Sequence, residues 1–311
     1  TLPKAYDEYA KAWVLLHLLE ALLEPKFDGT PSFIFNMSVG YNLEGILTPK
    51  MQTFIDSMID SSKNTSFKGH LDSLEAILAE GSLFNGTEWE GMEGRLKGLS
   101  KKISPKICSS VTLSTMHGCP PKEIEAICSY MLSKKKLNTF VKLNPTLLGF
   151  DRVRSTLDEL GYNYITLKPQ AFEVDLQYGD AIPMLERLVA LSQREGLGFG
   201  VKLTNTLGSV NDQGFLPGDE MYMSGRALLP LSVAVGALLT KEFKGTLPIS
   251  YSGGATASTI VDLFECGIRP ITLATDLLKP GGYVRLKQMV ELLEERSESW
   301  GVKTIDLNKI E

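Results

Sequence analysis

Pro248-Ile-Ser-Tyr-Ser-Gly-Gly-Ala255 is followed by a helix-like run and then by Pro270-Ile-Thr-Leu-Ala-Thr-Asp276. Each of the two segments is a short apolar strand that stops at small residues, where a helix can start. The prolines stand 22 positions apart, the spacing of consecutive βα units in a parallel sheet. Gly253 and Gly254 have no side chain to block a ligand, so their amides can point at an anion. In (β/α)8 barrels the loops after the last two strands often form a phosphate site. The pair predicts a parallel barrel and a phosphorylated ligand, such as flavin mononucleotide (FMN).

The same rhythm extends back along the chain. Strands are predicted at 33–39, 110–115, 139–144, 164–168, 198–205, 248–252 and 270–275, with helices at 121–135, 150–160, 180–195, 224–243, 256–266 and 283–297. An amphipathic helix is predicted over 4–24, ended by Pro25, and another over 50–60. Strand–helix alternation argues for an α/β fold, a TIM-type (β/α)8 parallel barrel. Seven strands are one short of closure, so one or more is expected before Thr1. Residues 61–104 are polar, Gly-rich and long for a barrel connection, and are expected to be a helical insertion into a single barrel domain over 1–311. The loop at 207–223 is long enough for a lid, and equally for an irregular excursion.

Composition bounds the function. With 43% hydrophobic and 22% charged residues this is a globular chain. A net charge of −5 with no basic run makes nucleic acid an unexpected partner. No apolar stretch nears the roughly 18 residues that span a bilayer, and no signal peptide is visible. Cys108, Cys119, Cys128 and Cys266 include no C-x-x-C spacing, which argues against a zinc or iron–sulfur site within this chain. A reducing cytoplasm is the expected compartment. The chain opens on Thr1 rather than Met, as a fragment or processed product would.

Barrel ligands bind at the C-terminal ends of the strands. The 110–115 strand runs into Thr115-Met-His-Gly-Cys-Pro-Pro121, which places His117 and Cys119 on one loop before a proline-started helix. That helix N-terminus is expected to lower the Cys119 pKa, giving a thiol acid or nucleophile beside an imidazole; the alternative is an inert structural loop. Lys142 and Lys202 each interrupt an apolar strand and are followed within three residues by Asn144 and Asn205. A buried unpaired ammonium is costly, so the two suggest a lumen that takes something anionic, unless each pairs with a core carboxylate. Lys168 before Pro169 is a weaker case. Ser252, Gly253, Gly254 and Thr275 are the phosphate candidates. Gly254→Val is expected to abolish phosphate binding and leave the fold largely intact.

Ser114-Thr-Met-His-Gly-Cys-Pro-Pro121, Val141-Lys-Leu-Asn-Pro-Thr146, Val201-Lys-Leu-Thr-Asn-Thr206, Ser250-Tyr-Ser-Gly-Gly-Ala255 and Ala274-Thr-Asp-Leu-Leu-Lys-Pro-Gly-Gly-Tyr283 together resemble the barrel of the YgfK family. These are selenate reductase-like or glutamate synthase-like iron–sulfur oxidoreductases. The resemblance runs through almost the whole chain and is weakest over 61–104. It implies a piece of a larger redox protein, with ferredoxin-like and FAD/NAD(P)H domains elsewhere in the parent chain. More distantly, the barrel is similar to the FMN domain of dihydroorotate and dihydropyrimidine dehydrogenases. That similarity implies FMN with its phosphate on Gly253, Gly254 and Thr275, Lys142 or Lys202 at the isoalloxazine, and Asn144, Asn205 and Thr206 bonding the ring. The acid of that family is a Cys or Ser in a strand-end loop. Aligned without gaps, Thr115 takes its place here and Cys119 lies four residues on, so Cys119, Thr115 and His117 all remain candidates for moving the proton of a small-molecule substrate. A barrel that binds no flavin and only docks electron-transfer domains is the alternative.

Overall fold

The computed structural model describes residues 1–115, 117–214 and 216–299. The chain divides into two compact units. The first comprises Thr1–Val111 with Lys135–Leu137; the second comprises Thr112–Lys134 and the chain from Asn138 onward.

In the first unit, helix Leu2–Leu23 starts with Pro3 in its first turn and buries Tyr6, Ala10, Trp13, His17, Ala21 and their neighbours at 3–4-residue spacing. Leu19 and Leu23 face outward. Strand β1 (Phe35–Val39) buries Met37 and Val39 and exposes Asn36 and Ser38, the alternation of a one-sided strand. Helix Pro49–Ile59 follows. Within 61–104 the main element is helix Thr65–Glu80. Its start is fixed by Asn64, whose side chain accepts from the amides of Ser66 and Phe67, and its end by Gly81 in the left-handed region.

Strand β2 (Cys108–Ser114) leads into the second unit, where helix Pro121–Ser133 precedes β3 (Asn138–Leu143). Helices Phe150–Glu159, Pro169–Val174 and Tyr178–Glu195 then lead to β4 (Phe199–Leu203). Next come β5 (Leu207–Val210), β6 (Glu220–Met223), helix Leu229–Glu242, β7 (Ile249–Tyr251), helix Ile260–Glu265 and helix Gly282–Ser299. β3, β4 and β7 are neighbours, all parallel, with Lys142 opposite Lys202 and Lys202 opposite Ser250. Because side chains alternate at period two, these three project to one face, as do Phe140 and Gly200 one step earlier. A Cβ on Gly200 would stand 2.6 Å from Phe140 Cε1 and 2.6 Å from the Pro248 carbonyl oxygen, so the glycine makes room for the phenylalanine ring.

Three expectations change. The 164–168 segment is not a strand: Leu167 makes one antiparallel bridge to Ser209, and helix Pro169–Val174 starts immediately after Lys168. The 270–275 segment is likewise reduced to one parallel bridge, Tyr251 to Ile271, and Thr275 already belongs to a short helix. The 207–223 loop is a hairpin, with β5 and β6 paired antiparallel from Leu207–Met223 to Val210–Glu220. Among the described residues no helix is long and apolar enough to cross a membrane.

Candidate active site

The strand tips of β3, β4 and β7 open onto a cleft lined by Lys142, Thr204, Thr206, Ser224, Gly225, Arg226, Ser252, Gly253, Gly254 and Thr275, among others. Six of the residues picked from the sequence therefore meet around one space: Lys142, Thr206, Ser252, Gly253, Gly254 and Thr275. The main-chain N–H groups of Gly253, Gly254 and Ala255 donate to no partner among the described residues. Unspent amides at a strand end are suited to an anion.

Gly254 has φ +73°, and a Cβ there would stand 2.6 Å from the Arg226 amide nitrogen and 2.7 Å from the Gly225 carbonyl carbon. The glycine is thus required by close backbone packing as well as by any ligand. Gly254→Val cannot leave the fold intact, which corrects the expectation drawn from sequence. The Gly225–Arg226 turn that abuts it adds a third glycine to the cleft, itself at φ +68°. On the same wall, Asp276 is buried and paired with Arg226 (3.3 Å) and Lys279 (3.1 Å). The Lys279 hydrogen bond, with Arg226 behind it, holds its carboxyl below the usual range. Two cations for one carboxylate leave this wall net positive.

Lys142 and Lys202 stand side by side across β3 and β4, and neither ammonium has a hydrogen-bond or ion-pair partner among the described residues. Burial depresses the pKa of both, and Lys142 depresses that of Lys202 further. The core carboxylate that would have made them structural is absent from the described residues around them. A pair of desolvated like charges is stable only if something neutralises it or if protons leave.

Beside the cleft lies a polar network that composition and spacing did not reveal. Asp175, its side chain 1% exposed, accepts hydrogen bonds from the Gly118 amide (2.7 Å), Thr146 Oγ1 (2.8 Å), Asn144 Nδ2 (2.9 Å) and His117 Nδ1 (3.2 Å). Burial opposes its charge, yet the bonds from His117, Gly118 and Thr146 win and keep it below the ordinary carboxylate range. Asp175 in turn raises the His117 pKa against the effect of burial. Asn205 Nδ2 donates to Asn144 Oδ1 (2.8 Å) and to the Lys142 carbonyl (3.3 Å), tying the tips of β3 and β4 together. The His117 ring stacks on Tyr222 of the hairpin, centroids 5.7 Å apart at 28°. His117, Tyr222, Lys168 and Glu220 share a second cavity of ≈ 380 Å³, in which Lys168 pairs with Glu220. Nothing in Phe172-Glu-Val-Asp175 marks the aspartate as special; only the tertiary fold brings it to the strand ends.

Cys119 and Thr115 line neither cavity. Burial and the neighbouring Glu123 carboxylate push the Cys119 thiol up to about 11, the opposite of the shift expected from the helix N-terminus.

The family model for "Oxidoreductase YgfK, N-terminal TIM-barrel domain" matches residues 1–311. YgfK of Escherichia coli K12 is 56% identical over 310 residues, and so is its counterpart in strain O157:H7. The chain spans about 30% of the length of these relatives. Among solved structures, DHODH from Eimeria tenella in complex with ferulenol aligns over 78% of this chain and 68% of its own, at 15% identity and TM-score 0.36. The ligand-free form aligns over 78% and 70%, at 14% identity and TM-score 0.34. The chain therefore belongs to the YgfK oxidoreductase family, whose N-terminal TIM-barrel domain it represents.

Proposed function

We propose that this chain is a cytoplasmic, FMN-type oxidoreductase barrel, with residues 1–311 forming one domain and 61–104 its insertion. In the longer parent protein it receives electrons from NAD(P)H through FAD and iron–sulfur domains. The observation that carries the reading is the unneutralised Lys142 in a cleft rimmed by the unspent amides of Gly253 and Gly254, with Lys202, equally unneutralised, opposite it across β3 and β4. A cleft that offers main-chain donors at one part and the Lys142 ammonium at another suits a ligand with a phosphate and a separate electron-rich edge, which is the chemistry of FMN.

When bound, FMN supplies the electron-carrying ring that no side chain can replace. Gly253, Gly254, Ser252 and Thr275 hold the phosphate. Lys142 or Lys202 would stabilise negative charge at the ring, and Asn144, Asn205 and Thr206 would orient it by hydrogen bonds. Cys119, Thr115 or His117 exchanges the substrate's proton.

The test is purification without oxygen, followed by FMN titration. A yellow protein absorbing at roughly 450 nm, or one whose added FMN fluorescence is quenched on binding, supports the reading. Lys142→Met and Lys202→Met should each weaken FMN binding. A colourless, folded protein that ignores added FMN refutes it and leaves a scaffold that docks electron-transfer domains.

A further inference from the structure

We infer that His117 is the proton-exchanging residue of this site and that Asp175 is its positioning residue, setting the ring's tautomer and charge from a buried seat. The inference rests on the proposed flavoenzyme reading for its purpose, but its geometry stands on its own.

Asp175 is almost fully buried and spends both carboxylate oxygens on donors from two separate chain segments, the loop after β2 and the segment after β3. Such an anchored carboxylate cannot rotate to suit the ring; the ring must suit it. Asn144 Nδ2 also lies 3.3 Å from His117 Nδ1. However, its Oδ1 is occupied by Asn205, which turns its Nδ2 toward Asp175 and leaves Nδ1 as a donor. The ring therefore keeps Nδ1–H on Asp175. Nε2 has no partner among the described residues, and His117 lines the second cavity. Tyr222 stacks on the ring and limits its tilt. This is the logic by which a carboxylate orients an imidazole for proton transfer.

In donation, the Nε2–H bond breaks as a bond from that proton to a substrate atom forms. The imidazolium becomes neutral with its remaining proton on Nδ1. The reverse step returns the proton to Nε2. Asp175 stays ionised throughout.

The other groups around the ring do not replace Asp175. Glu220, on β6, raises the His117 pKa only after Asp175 does, and is itself committed to Lys168 and Tyr222. Cys119 and Glu123, at the start of helix Pro121–Ser133, are coupled to each other. Thr146 and Asn144 are neutral.

The experiment is an NMR pH titration of the imidazoles in the whole chain, which has three histidines. His117→Gln identifies the resonances. His117 is expected to titrate above the ordinary imidazole value of about 6.5, with nitrogen shifts of an Nδ1–H tautomer once neutral. Asp175→Asn should bring its titration down to or below that value, whereas Thr146→Val, which removes a bond to Asp175 but keeps the charge, should leave it raised. A purely architectural network predicts lost stability in Asp175→Asn without that tautomer or a lowered titration. The inference is overturned if His117 titrates at or below the ordinary value in the parent chain, a result that needs no folded variant. It is overturned equally if Asp175→Asn leaves the titration where it was. The titration requires no flavin, so failed FMN binding and a failed dyad are separate results.

Discussion

Replacing Gly254 by alanine tests how closely the cleft's backbone segments approach, with no ligand involved. At φ +73° an L-residue pays the left-handed penalty, about 1–2 kcal/mol. Its new Cβ would also lie 2.6 Å and 2.7 Å from main-chain atoms of Arg226 and Gly225, which cannot swing aside as a side chain would. Forcing an extra methyl into such a space costs about 1–3 kcal/mol. The sum is about 2–5 kcal/mol, which lowers Tm by roughly 3–8 °C in a chain of 311 residues. Gly161→Ala is the matched control. It has φ +80° with nothing within 4 Å of its Cβ, so it should cost only the first part, about 1–2 kcal/mol. Urea unfolding of both variants, without ligand, measures the difference. If Gly254→Ala falls within about 0.5 kcal/mol of Gly161→Ala, the resolution expected of independent sites, the close approach of the two turns is wrong.

Lys202→Met should stabilise the ligand-free chain at neutral pH, because it removes a desolvated charge beside Lys142. The folded-state pKa of Lys202 lies below its unfolded value of 10.5, so the unfolded chain holds the proton longer. The penalty is full below the folded-state pKa and fades as pH rises toward 10.5, so the variant's advantage should shrink over that window. Urea unfolding against pH measures this, and a variant less stable than the parent at pH 7 would contradict it. Iodoacetamide at neutral pH should label exposed Cys266 well before Cys119, whose rate should climb toward pH 11. Peptide mass spectrometry showing equal labelling of the two would refute the raised thiol pKa.

Lys142, Lys202 and the Gly253–Gly254 pair were legible because each violates a local rule: a cation in an apolar strand, or two glycines where a strand should turn. Such exceptions survive in sequence whatever the tertiary fold. The segment 164–168 misled for the opposite reason. Tyr164-Ile-Thr-Leu167 has strand-forming residues, but the hairpin competes for its backbone, with the Val210 amide bonded to the Thr166 carbonyl, and Tyr164 stays 63% exposed. At 270–275, Pro270 offers no amide to a ladder, and Thr275 is drawn into a helix. The hairpin itself had a readable signal. Leu207-Gly-Ser-Val210 and Glu220-Met-Tyr-Met223 flank Gly214 and Pro217-Gly-Asp219, turn chemistry between two short alternating runs. Asp175 had none, since a single carboxylate after a helix looks like any solvated acid until Gly118, Asn144 and Thr146 converge on it.

The carboxamide of Asn205 touches both halves of this machinery, one bond reaching the Lys142 main chain and the other passing through Asn144 to Asp175. A molecule that pulls this amide toward the cleft must loosen its hold on Asn144, and so alter how readily His117 takes up hydrogen ions. Thermodynamic reciprocity then requires that acidity, acting on the imidazole, change the retention of that molecule by the same factor. Ligand retention at the cleft and proton uptake at the imidazole would thus be coupled through a single carboxamide.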